Sequence, residues 1–235
     1  MKNNPFILSF KDFYKNPLII LVSLLLLIIN KLYANYIYPK IPDVFSNIQI
    51  LNKVLTIHDV ISLLIMSFFF SVIIAMSKSA IKGKSKLSDF SSGLKYLIQN
   101  FSILFLIYII LFRGINYISI YSALFMGGHL TFTLKIAQIL FYLIYVFFLL
   151  AILIFFTYSS FYLVANNLSL INSIKSSSIF VKNNYILTLS IFIALFIISQ
   201  IINYISNINL ILSQIIYSAI IVPYLSLLLT RLIIK

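Results

Sequence analysis

Few side chains in this sequence could do acid–base or metal chemistry. It has four acids (Asp12, Asp43, Asp59 and Asp89), two histidines (His58 and His129), no Glu and no Cys. Without Glu, an H-E-x-x-H zinc helix cannot be written. Without Cys, disulfides, thiolate metal sites and cysteine nucleophiles are excluded. His58 and His129 are far apart, and a metal site calls for more ligands than they supply. The five glycines form neither G-x-x-x-x-G-K nor G-x-S-x-G, and Gly127-Gly128-His129 reads as a turn. No Ser-His-Asp or Ser-Lys arrangement stands out. The residues therefore assign no catalytic, cofactor-binding or metal-ligating role, and they predict a chain that is not an enzyme and needs no cofactor.

Two charged features remain. Arg113 falls inside an apolar run, and a charge at membrane depth is a functional flag by default. It lies within snorkelling reach of the outer interface, or it forms an outer-leaflet ion pair with Asp59, which opens a span on the same side. The run Lys82-Gly83-Lys84-Ser85-Lys86 is the densest basic cluster. Lys82, Lys84 and Lys86 read as a cytoplasmic anchor, a site that also attracts anionic headgroups at about 1 kcal/mol per charge.

The elements that carry these residues are membrane helices. Of 235 residues, 62% are hydrophobic and only 9% charged, too few charges to cover a soluble fold. A bilayer core of about 30 Å takes roughly 20 apolar residues per helix. Six stretches qualify: Pro17–Tyr38, Val60–Ser77, Leu97–Tyr117, Ile136–Tyr158, Tyr185–Ser206 and Leu210–Thr230. No A-x-A-like cleavage site follows the first, so it reads as a retained span. The net charge of +13 comes from basic residues that flank apolar spans, which argues for positive-inside anchoring and against nucleic-acid binding. Lys31, Lys40, Lys53, Arg113 and Lys135 fall on one side and the other twelve cations on the opposite side, which places both termini in the cytoplasm. Small residues at helical spacing (Ser67, Ser71, Ala75) read as packing seams, and Pro223 as a kink in the last span.

The chain also resembles itself. KDFYKNPLII (11–20) and SIFVKNNYIL (178–187) each set Lys-Asn before an apolar run. Aligning Asn16, Asn100 and Asn183 gives spacings of 84 and 83 residues, and brings Ile19, Ile103 and Ile186 together. The period fits a unit of two membrane helices, repeated over about 1–83, 84–166 and 167–235, within a single membrane domain. Each unit opens on an amphipathic lead-in: Phe6, Phe10 and Phe13 in the first, Leu87, Phe90, Leu94 and Leu97 in the second, Leu170, Ile174 and Val181 in the third. Such a helix lies in the interface plane or covers the end of the bundle. Asn16, Asn100 and Asn183 are the expected elbows, because Asn tolerates irregular backbone and satisfies freed peptide groups.

The stretch SLINSIKSSSIFVKNNYILTLSIFIALFIIS (169–199), and more loosely NPFILSFKDFYKNPLIILVSLLLLI near the start, resembles a pattern in a broad group of prokaryotic membrane proteins. The group includes the membrane domain attached to some bacterial glycerophosphodiester phosphodiesterases and related uncharacterised archaeal families. In it an S-x-x-x-S-type amphipathic helix leads through a short basic elbow into a span. The resemblance implies a six-helix membrane domain and no activity.

The expectation is an all-α integral membrane protein of six transmembrane helices, arranged as three hairpins with cytoplasmic amphipathic lead-in helices. It is expected in the cell membrane as a lipid- or partner-binding module of the envelope, with membrane lipids, a membrane-protein partner or a homo-oligomer as associates and no nucleic acid. The alternative is a small-solute permease or a transporter's membrane subunit. A polar cavity at the midplane would favour transport; a packed centre with an open groove between helices would favour lipid or partner binding.

Overall fold

The computed structural model describes residues 4–37, 57–110 and 155–234. Among these residues all regular structure is helical. Helix α1 (Pro5–Lys15) starts at Asn4, whose side chain accepts a hydrogen bond from the Phe6 N–H at 2.9 Å. Pro5 sits in the first turn, where a missing N–H costs nothing. The helix stops at Asn16 (φ −127°, ψ 67°), because Pro17 disfavours helical backbone in the residue before it. Pro17 then opens α2 (Pro17–Leu32), which runs into a π-turn at Tyr33–Ile37.

Further along come α3 (Ile57–Lys82), the short α4 (Asp89–Leu94), α5 (Leu97–Ile110) and α6 (Phe155–Ala165). They are followed by α7 (Leu170–Asn183), α8 (Tyr185–Ile208) and α9 (Leu210–Ile233). The expected kink in α9 takes the form of a π-turn at Tyr217–Ile221, just ahead of Pro223, where the ring removes an ordinary helix hydrogen bond.

Four of the described helices are long and apolar enough to cross a bilayer: Pro17–Tyr36, Asp59–Lys82, Tyr185–Ile208 and Leu210–Ile233. These match the first, second, fifth and sixth stretches read from the sequence. Apolar helices α5 and α6 are shorter, and both border residues 111–154, which lie outside the described residues together with most of the expected third and fourth spans.

Helices α3, α6 and α9 share one core. Ile74 and Ala75 pack with Phe161, Val164, Leu228 and Leu229. The Phe70 and Phe161 rings meet edge to face at 5.4 Å, and the Ser77 and Ser226 hydroxyls hydrogen-bond at 2.9 Å. Helix α2 joins from outside, with Ile19 and Val22 against Val72, Ile73, Met76 and Leu227. Within lipid there is no hydrophobic drive between helices, so close backbone approach and interhelical hydrogen bonds hold such a core. The difference in placement is large: 56% of the apolar window of α3 is buried, against 11% of that of α8.

The short helices α1, α4 and α7 dock on this core through small residues. Gly93 of α4 lies so close to α3 that a Cβ would meet the Val72 Cα at 2.6 Å. The Ser177 hydroxyl of α7 donates to the Phe155 carbonyl of α6. In α1, Ser9 is fully buried, and the neighbouring Phe10 ring meets Tyr224 of α9 at 6.4 Å. Val72 and Phe155 each lie ten residues before the helix ends at Lys82 and Ala165, about 15 Å along the axis. Ser9, Gly93 and Ser177 are spaced by 84 residues and 84 again.

That register corrects two of the expected elbows. Helix α7 includes Asn183, and the break falls at Asn184 (φ −127°, ψ 40°). The physical reason is the side chain: Asn184 Nδ2 donates back to the Phe180 carbonyl at 3.0 Å, as Asn16 Nδ2 does to the Asp12 carbonyl at 2.8 Å. Ile186 is accordingly 80% exposed, whereas Ile19 and Ile103 are buried. In the middle segment the break comes at Lys95-Tyr96, and Asn100 lies inside the first turn of α5. Its amide is spent on another helix, donating to the Ser67 carbonyl of α3 at 3.1 Å, while the Ser67 hydroxyl donates to the Leu97 carbonyl at 3.0 Å.

Candidate membrane-interface site

The C-terminal ends of α3, α6 and α9 and the docked helices α1, α4 and α7 come together at one end of the molecule. Lys11, Lys15, Lys82, Lys84, Lys86, Lys95, Lys175 and Lys182 lie exposed there, with Lys78 and Arg231 half-buried among them. Lys31, at the far end of α2, is the described cation at the opposite end.

The basic loop Lys82–Lys86 is held at two points. Asn16 Oδ1 accepts hydrogen bonds from the Ser85 N–H at 2.8 Å and the Ser85 hydroxyl at 3.2 Å. Asp89 accepts from the Lys86 N–H at 2.7 Å and from the Ser79 hydroxyl at 2.8 Å. The elbow residue Asn16 and the anchor lysines are therefore one assembly: the elbow's acceptor fixes the loop, and Lys82, Lys84 and Lys86 remain exposed. Nearby, the Tyr96 hydroxyl donates to Asn167 Oδ1 at 2.8 Å, and Lys78 Nζ approaches the same oxygen at 3.4 Å. Burial raises the Tyr96 phenol above its ordinary pKa, so it stays a donor.

An ion pair that the sequence reading missed joins the two ends of the chain: Arg231 of α9 donates to the Asp12 carboxylate of α1. Both side chains are about four-fifths buried, at 18% and 19% exposure. The far-end pair proposed from sequence is not on view, because Arg113 lies outside the described residues. Its partner Asp59 interacts with the Tyr108 hydroxyl of α5. His129 also lies outside the described residues, and among those described no three His, Cys, Asp or Glu gather into a metal-sized group.

The docked helices bury only part of their apolar stripes. Phe13 of α1 and Val181 of α7 are in the core and Phe90 of α4 packs against it, but Phe6, Phe10 and Tyr14 are exposed. Leu87, Leu94 and Ile98 are exposed around α4, and Ile171 and Ile179 along α7. The face turned inward combines the small residues Ser9, Gly93, Ser173 and Ser177 with Phe13 and Val181. Apolar side chains standing out beside exposed lysines at the end of a bundle suit the headgroup–acyl boundary.

Where α6, α7 and the start of α8 meet, Phe155, Ser178, Ile179, Val181, Lys182 and Tyr185 line a groove of about 480 Å³. Its lining is almost wholly apolar: the Ser178 hydroxyl is turned to the Ile174 carbonyl, and Lys182 and Tyr185 are exposed residues beside it. The span hydroxyls do not build a comparable polar feature. Ser71, Ser190 and Ser199 each donate to a carbonyl three or four residues back in their own helix. Compared with family models, with curated proteins and with solved structures, the chain finds no match.

Proposed function

We propose that this chain is a lipid-binding membrane module without catalysis, built as six spans in three copies of one helical hairpin, with both termini in the cytoplasm. The observation that carries the lipid reading is a filled centre combined with an apolar groove opening beside a lysine. Val72, Ile73, Ile74 and Met76 of α3 and Leu227 of α9 are completely buried, whereas the groove lies at the α7–α8 elbow. A permease would want a polar midplane cavity, whereas Ser71 and Ser190 donate within their own helices and Ser77 and Ser226 bond to each other across the core.

The three-copy reading is supported by contacts at matching places. Ser9, Gly93 and Ser177 recur at 84 residues and are all buried; Gly93 and Ser177 bring their helices onto the second helix of the unit before. Helix α4 docks on α3, α7 docks on α6, and α1 docks on α9 across the Asp12–Arg231 pair. The arrangement is cyclic, with the second helices α3, α6 and α9 inside. Gathering of the exposed lysines at one end supports the cytoplasmic placement of that end.

Native mass spectrometry of the protein released in mild detergent, with no lipid added, tests the functional reading. Phospholipid is expected to leave the membrane with the protein in near-stoichiometric amount. A lipid-free protein, or solute flux through proteoliposomes, would overturn the reading.

A further inference from the structure

We propose that the groove at the α7–α8 elbow holds an anionic phospholipid, with Lys182 on its phosphate and an acyl chain along Phe155 and Ile179. This deepens the lipid-binding reading and rests on it. Lys182 is exposed and lines the groove together with Phe155, which lies ten residues before the end of α6. A lysine beside apolar walls matches the pairing of headgroup and chain in a phospholipid, and not a free phosphate. Lys175 stands two turns earlier on the same face of α7, within range to add a second charge.

Among the described residues, the carboxylates are engaged away from this site. No acidic residue follows Asp89 in the sequence. Asp12 is held by Arg231, Asp89 by Ser79 and the Lys86 N–H, and Asp59 is at the other end of α3. Comparison of the three docked segments sharpens the assignment. Counting five residues on from Ser9, Gly93 and Ser177 gives Tyr14, Ile98 and Lys182. The third segment keeps the small docking residue and adds a cation where the other two carry an aromatic or aliphatic side chain.

The test uses the full chain reconstituted in vesicles of dioleoylphosphatidylcholine doped with dioleoylphosphatidylglycerol. Protein is extracted in mild detergent, and bound lipid is identified by native mass spectrometry. The wild type is expected to retain phosphatidylglycerol in preference to phosphatidylcholine. K182Q should lower that retention about fivefold, and K175Q/K182Q further, at roughly the worth of one charge each. I179W, which fills the groove and leaves both lysines, should also lose the lipid, whereas K11Q/K15Q on α1 should keep it. All five positions are exposed, so each variant is expected to elute like the wild type on gel filtration. If K175Q/K182Q and I179W both retain phosphatidylglycerol like the wild type, the groove is not its site, although the chain still binds lipid. If the wild type retains neither lipid, the broader reading falls with it.

Discussion

At the scale of single residues, the contact at Gly93 decides whether α4 can lie on α3. An added Cβ would meet backbone, the Val72 Cα at 2.6 Å and its N at 2.9 Å, so no rotamer change relieves it. Ala is the better helix former by about 1 kcal/mol, but overpacking against backbone costs about 1–3 kcal/mol and outweighs that gain. Gly93→Ala is expected to lower the thermal midpoint in detergent. Helical circular dichroism is the suitable readout, because the chain has no Trp. Ser9→Ala, at the equivalent position of α1, is the control: the Ser9 hydroxyl is buried without a hydrogen-bond partner and Ala stays small, so the substitution should not lower the thermal midpoint. If the Gly93 and Ser9 variants melt alike, small-residue docking does not set the packing.

At the scale of elements, the sequence was readable wherever hydropathy or backbone chemistry speaks. The four long spans stand near their expected ends, and the Asn16 elbow follows from Pro17. The third elbow was misread by one residue because Asn183 and Asn184 are chemically identical neighbours, and only the return bond to Phe180 tells them apart. The lead-in helices were read from their apolar stripes, and Phe13, Phe90 and Val181 of those stripes do pack inward, but the small residues beside them, which leave little trace in a hydropathy pattern, make the closest contacts. The groove at Lys182 was not legible either, since Phe155 and Lys182 meet only once α6 and α7 are packed. Nor was the Asp12–Arg231 pair, whose partners are 219 residues apart in the chain. That pair ties α1 to α9, and its worth is measurable by a double-mutant cycle. Asp12→Asn and Arg231→Gln should each lower the thermal midpoint, and the double variant should lose less than their sum, with a coupling of about 0.5–3 kcal/mol. Additive losses would mean that α1 is held by its apolar and small-residue contacts alone.

At the scale of the whole molecule, charge asymmetry and the proposed hairpin repeat make one joint statement about topology. An even number of crossings per copy returns each docked helix to the same side, so α1, α4 and α7 must share a compartment with the lysines they carry. Four spans would satisfy the long helices alone; six are required if residues 97–158 cross the membrane twice. The absence of native cysteine makes this directly testable with single-cysteine variants and a membrane-impermeant maleimide. Ser46→Cys, Ser122→Cys and Asn207→Cys are expected to label from outside in intact cells. Ser88→Cys and Ser169→Cys should label only after permeabilisation. Ser122 carries the decision, because it sits in the link between the third and fourth spans expected from sequence. Labelling of Ser122→Cys only after permeabilisation, like Ser88→Cys, would leave the middle unit on the cytoplasmic side. The 84-residue period would then record short-helix docking without a repeated hairpin, and the cyclic arrangement of α3, α6 and α9 would have to be built from two crossing units instead of three.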